Sequence, residues 1–188
     1  LEEILIIELA TNQEYMNQVW ECTAKSVTKY NPVFRNEEGH YKREEWIGFF
    51  QVGKIIDGEL LTYDEYVKAE NGYVLAAKLF LTFNNCSGIK IRNLEKPEID
   101  DFSVHFQNGE KELEETLNAV KEGSIVPVEN IDNVIRLILR EVIWAELVCE
   151  TDDFIAVRFG YDFYMYFNSP QKWEMLIPEI EQIGLFVY

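Results

Sequence analysis

Histidine and cysteine, the side chains that most often hold metals or act as nucleophiles, are scarce: the 188 residues contain two histidines and three cysteines. Neither His40 nor His105 has a cysteine or carboxylate at a recognised metal-ligand spacing, so no metal site is expected. Cys22, Cys86 and Cys149 are odd in number and far apart in the chain, which reads as reduced, buried thiols rather than a disulfide framework. The ten glycines form neither a Walker loop nor a dinucleotide-binding fingerprint, and no cofactor is expected. No apolar run approaches the ~18 residues that cross a bilayer. The opening Leu1-Glu2-Glu3 lacks the cationic flank of a secretory signal, so a cytoplasmic protein is expected. Basic residues are also few, seventeen against thirty-four acids, for a net charge of −17. A field of that sign repels nucleic acid and anionic lipid and draws in basic proteins, so no nucleic-acid or membrane partner is expected.

Apolar surface is plentiful. Hydrophobic residues make up 47% and aromatics 14%, enough to offset the entropy of ordering the chain. The length suits a single domain over residues 1–188, with a possible subdomain boundary near 94–101, where Pro97 stands among acids. Ile4 to Leu9 reads as a strand or the start of a helix. Thr11 to Tyr30 places Tyr15, Val19, Cys22 and Val27 at near-helical spacing, and Asn31-Pro32 ends that helix. Pro32 to Arg43 reads as a mobile loop. Asp57-Gly58 between apolar flanks predicts a type I′ hairpin. Thr62 with Glu65 forms the capping-box pattern for a helix running to about Phe83.

Further along, Gly88 to Leu94 and Phe102 to Phe106 read as strands, and Glu110 to Glu122 and Glu129 to Glu141 as helices. Three β-rich runs follow, Val142 to Glu150, Phe154 to Phe159 and Phe163 to Phe167, joined by connections too short for crossovers. Ser169-Pro170 predicts a helical turn, Pro178 a kink or restart, and Gly184 a stop before a possible fourth strand over Leu185 to Tyr188. The expected class is α+β: an antiparallel sheet, with a C-terminal meander of three to four strands, packed with helices that include a long one near 63–83.

Two places could carry function. Glu70 lies on the stripe of Tyr66 and Tyr73 that should be buried, where a carboxylate either becomes a general acid or base or pairs with Lys78, Arg92 or a tyrosine hydroxyl. The second half of the chain carries six bases and seventeen acids, and it also holds the densest aromatic cluster, Phe159 through Phe167. Alternation puts Phe163, Met165 and Phe167 on one sheet face and Tyr164 and Tyr166 on the other. Tyr161, Tyr164 and Tyr166, rimmed by Glu146, Glu150, Asp152, Asp153 and Asp162, have the composition of a protein-binding surface, unless a second layer covers both faces. Glu150, Asp152 and Asp153 lack the ligand spacing of an EF-hand loop, so calcium is not expected.

The run Phe159-Gly160-Tyr161-Asp162-Phe163-Tyr164-Met165-Tyr166 is similar to segments of uncharacterised bacterial proteins. Small size, strong acidity, an aromatic sheet and the absence of catalytic motifs together resemble the immunity proteins that bacteria carry against polymorphic or contact-dependent toxins. That resemblance implies an inhibitory binding protein whose partner is a basic toxin such as a nuclease. An enzyme with an unfamiliar site around Glu70, or a structural subunit of a cytosolic assembly, are the alternatives; a deep polar pocket would favour the first and a large uncharged apolar patch the second.

Overall fold

Lys25–Thr28 begins the described structure as a strand (β1), not as the end of a helix. The structure is a computed structural model that describes residues 24–96, 106, 110–152 and 154–188. The reason for the difference at β1 is tertiary. Val27 faces Met165 on one side and Val187 on the other, so a short segment with modest helix propensity gains two hydrogen-bonded neighbours as a strand. The expected strands at Ile4–Leu9 and Phe102–Phe106 lie outside the described residues, apart from Phe106, which sits in a bend.

The fold is α+β, with four helices and a seven-stranded antiparallel sheet among the described residues. The hairpin forms at Asp57-Gly58: β2 (Ile55–Ile56) pairs with β3 (Glu59–Leu60), and both turn residues have positive φ, 48° and 84°. Helix α1 (Tyr63–Phe83) starts at Thr62, whose hydroxyl accepts the Glu65 N–H while the Glu65 carboxylate accepts the Thr62 N–H at 2.9 Å. That reciprocal cap is worth about 1 kcal/mol. After β4 (Gly88–Glu95) come α2 (Lys111–Ala119), β5 (Ile125–Pro127) and α3 (Asp132–Leu139). The chain continues through β6 (Trp144–Cys149), β7 (Ala156–Phe159), β8 (Tyr164–Asn168), α4 (Ile177–Ile183) and β9 (Phe186–Val187).

The large sheet runs β5-β4-β6-β7-β8-β1-β9, so it draws on the whole described chain rather than the C-terminal third alone. The segment expected as a fourth strand after β8 pairs with β1 instead. Ser169-Pro170 does not start a helical turn. The Ser169 hydroxyl accepts the Gln171 N–H and donates to Asn84 Oδ1 at 2.5 Å, tying the segment to the end of α1. Helical structure begins beyond Trp173, and Pro178 falls in the first turn of α4, where its missing N–H costs nothing. Gly184, at φ 96°, ends that helix.

One face of the sheet supplies Ile89, Ile91, Leu147, Val157, Met165 and Phe167 to a core shared with all four helices. Phe80 of α1 stacks on Phe167 at 4.3 Å between centroids, and Trp173 meets both rings edge-on at 5.4 Å. Truncating such a fully buried phenylalanine costs about 3–5 kcal/mol. The opposite alternation, Arg158, Tyr164 and Tyr166, is only half-buried and forms the outer face.

Candidate functional site

The β7–β8 turn shapes the outer face. Asp162 and Phe163 both have positive φ, 56° and 60°, an unfavourable conformation for an aromatic residue that must be held in place by its surroundings. Phe163 turns inward against Trp46, Tyr66 and Tyr73, with centroids 4.9–5.7 Å away, and its carbonyl accepts the Tyr73 hydroxyl at 2.5 Å and the Thr28 hydroxyl at 3.2 Å. With Phe163 anchored, Tyr161 is thrown outward. It is 81% exposed, and its ring lies 5.6 Å from Trp144 at the start of β6.

Tyr166 lies beside this pair on the outer face. A Cβ on Gly160 would stand 2.9 Å from its ring, so the ring occupies space that only glycine leaves free. Its cross-strand neighbour Arg158 pairs with Glu146, Nε to Oε1 at 3.0 Å. Burial lowers the Arg158 pKa, with the Glu146 charge opposing that shift. Burial also raises the Tyr166 pKa, so its hydroxyl stays protonated at neutral pH.

Tyr164 is different, because the segment expected as a mobile loop folds across it. Arg35 donates to the hydroxyls of Tyr164 and Tyr188 at 2.6 and 2.7 Å and to the Gly39 carbonyl at 2.8 Å. Its guanidinium sits 4.5 Å from the Tyr188 ring centroid, and Tyr30 packs 5.6 Å from Tyr164. Burial and the Tyr164 hydrogen bond push the Tyr188 hydroxyl up to about 12.

The expected acidic rim divides in two. Asp162 sits in the β7–β8 turn beside Tyr161, whereas Glu150 and Asp152 sit in the β6–β7 connection at the other end of β7. At about 3.3 Å per residue the four residues of β7 alone place roughly 10 Å between those turns. Asp152 accepts the Phe154 N–H at 2.9 Å, and the Glu150 carboxylate packs against Gly88. Asp153 lies outside the described residues. The structure therefore joins Tyr161, Tyr166 and Asp162 with Trp144, Arg158 and Glu146. Glu146 was expected in the rim, whereas Trp144 and Arg158 were missed, although their sheet positions follow once β6 and β7 are paired in register.

Glu70 is fully buried, as its place on the α1 stripe implies. Its partners are arginines rather than Lys78 or Arg92. Arg140 donates through Nε to one carboxylate oxygen at 2.7 Å and through Nη2 to the other at 3.0 Å, while Arg136 Nη1 reaches the latter at 2.6 Å. Arg140 also bonds Glu110 at 2.7 Å, and Lys78 pairs with Asp132. Burial works against the Arg140 charge, but the hydrogen bonds and charges of Glu70 and Glu110 outweigh it and raise its pKa. A cavity of about 430 Å³ borders this cluster, lined by Tyr63, Glu110, Arg136 and Arg140 among others, and Glu70 does not line it. Both Glu70 oxygens are bound to arginines and the carboxylate is fully buried, so it is not presented to a substrate in the cavity. The i, i+4 spacing of Arg136 and Arg140 was the available signal for these partners.

Among the described residues, no group of three or more histidines, cysteines or acids could hold a metal, and no helix is long and apolar enough to cross a membrane. No family model, no curated protein and no solved structure matches the chain.

Proposed function

We propose that this protein is an inhibitory binding protein that neutralises a basic protein, such as a nuclease toxin, in the manner of bacterial immunity proteins acting in the cytoplasm. The observation that carries the reading is Tyr161, 81% exposed on a turn held by the inward-facing Phe163. Around it stand Trp144, Tyr166 and Arg158, the residue types that dominate protein-binding hot spots, with Asp162 and Glu146 as acidic neighbours. The net charge of −17 adds long-range attraction for a basic partner. Committing both oxygens of Glu70 to arginines argues against the alternative of an enzyme built on that carboxylate.

The test is capture from lysate of the native host at low and high salt, followed by an activity assay on the purified partner. One basic protein retained stoichiometrically, inhibited by the wild-type chain and weakly or not at all by Tyr161→Ala, supports the reading. A retained partner whose activity is unchanged, or equal inhibition by Tyr161→Ala, rejects this face as the inhibitory surface.

A further inference from the structure

Among the described residues the hairpin β2–β3 pairs only with itself, and it presents apolar side chains to solvent. Ile55 and Leu60 are direct cross-strand partners, 71% and 55% exposed, and Phe50 in the preceding turn is 53% exposed. Isolated two-stranded hairpins are marginal in water, and an aliphatic pair held in the open on one is an unsatisfied surface. Beside it lies a cavity of about 530 Å³ with Trp46 in its wall. Glu44, Asp57 and Glu59 line that cavity, are all exposed, and form no ion pair among the described residues. Arg43, the basic residue in the lining, lays its guanidinium 3.3 Å from the Phe34 ring centroid.

The same wall already binds one cation. Lys29 Nζ sits 3.0 Å from Glu45 Oε2 and 4.2 Å from the Trp46 ring centroid, in a site that is filled and nearly closed to solvent. Glu45 and Trp46 thus combine carboxylate and aromatic face to hold a positive charge, and the free carboxylates extend that chemistry outward.

We propose that the β2–β3 hairpin and its adjoining cavity dock an arginine-bearing segment of a partner protein. The guanidinium enters between Trp46 and the carboxylates of Glu44, Asp57 and Glu59, and an aliphatic neighbour of that arginine packs on Ile55 and Leu60. Arginine suits the site better than lysine because its planar group bonds carboxylates in pairs. This site is independent of the outer aromatic face.

The probe is a blocked tripeptide, Leu-Arg-Leu, titrated into the full chain at about 20 mM salt while amide and indole resonances are followed. Saturable shifts concentrated on the Trp46 indole N–H and on residues 55–60 are expected. Glu44→Gln with Glu59→Gln should weaken the peptide about five-fold, as should Ile55→Ser with Leu60→Ser, whereas Tyr161→Ala should leave it unchanged. Replacing the arginine by neutral, isosteric citrulline should abolish the shifts. Equal binding of the citrulline peptide, shifts located elsewhere, or no response to the Glu44 and Glu59 changes would overturn the proposal. Concentration-dependent broadening of the hairpin resonances without peptide would also overturn it, by showing that a second copy covers this face. Because Tyr161→Ala and the hairpin variants are read separately, failure here leaves the outer-face reading intact, and the reverse.

Discussion

Replacing Arg140 with methionine tests whether the buried charge cluster holds α1 against α3. Arg140 is 2% exposed and donates two hydrogen bonds to Glu70 and two to Glu110, at 2.7–3.1 Å. Removing one member of a buried ion pair typically costs 3–5 kcal/mol, because the other charge is left without compensation. Glu70 would keep Arg136 at 2.6 Å, and Glu110 is partly solvated and keeps the Tyr63 hydroxyl, also at 2.6 Å. Those survivors place the loss near the lower end, about 3 kcal/mol. Methionine retains much of the packing against Phe49, whose centroid lies 4.8 Å from the guanidinium, so the loss reports charge rather than volume. Urea unfolding with linear extrapolation measures it. Adding Glu70→Leu removes the stranded carboxylate, and the double variant should be more stable than Arg140→Met alone by about 1–2 kcal/mol. A loss under about 1 kcal/mol for Arg140→Met, or a double variant no better than the single, would refute the reasoning.

Gly160→Ala should cost about 1–3 kcal/mol and alter the near-UV signal of Tyr166, since the new Cβ would fall 2.9 Å from that ring; an unchanged midpoint would mean that the ring moves freely. Thr62→Ala removes the hydroxyl half of the α1 cap and should lower stability by about 1 kcal/mol in the same urea assay. Burial pushes the thiol of Cys86 up, with nearby Cys149 adding to the shift, so native protein at pH 8 should react with a disulfide reagent at this position far more slowly than protein in denaturant. Burial likewise raises Tyr66 and Tyr73, and groups raised in the fold contribute stability that is complete below their unfolded values. Urea midpoints should therefore hold at neutral pH and fall as pH climbs past about 8.5 for the thiol and about 10 for the phenols.

What could be read from sequence was what neighbouring residues decide. Asp57-Gly58 sets its own turn, and Thr62 with Glu65 sets its own cap, so both are as expected. Alternation sorted Met165 and Phe167 from Tyr164 and Tyr166, because the period of a strand is local. It could not show that Arg35 would cross to Tyr164, 129 residues away, and close half of the aromatic face. Glu70 was placed in the interior by helical periodicity, but its partners sit 66 and 70 residues downstream, so spacing along α1 could not choose among the available cations. Lys25 to Thr28 failed for the same reason, since strand identity there is conferred by β8 and β9.

Those partnerships give β1 a peculiar place in the life of the chain. Thr28 bonds Phe163 across 135 residues and Ser26 bonds Tyr188 across 162, so among the described residues this early segment has no strand partner until almost everything after it has been made. Until then the edge of β8 and the apolar side of β1 stand open, and only when β9 arrives do the two ends of the described chain close against each other. Closing contacts of such long range slows folding and prolongs the exposure of unpaired strand edges. The segment translated early is thus the clasp fastened late.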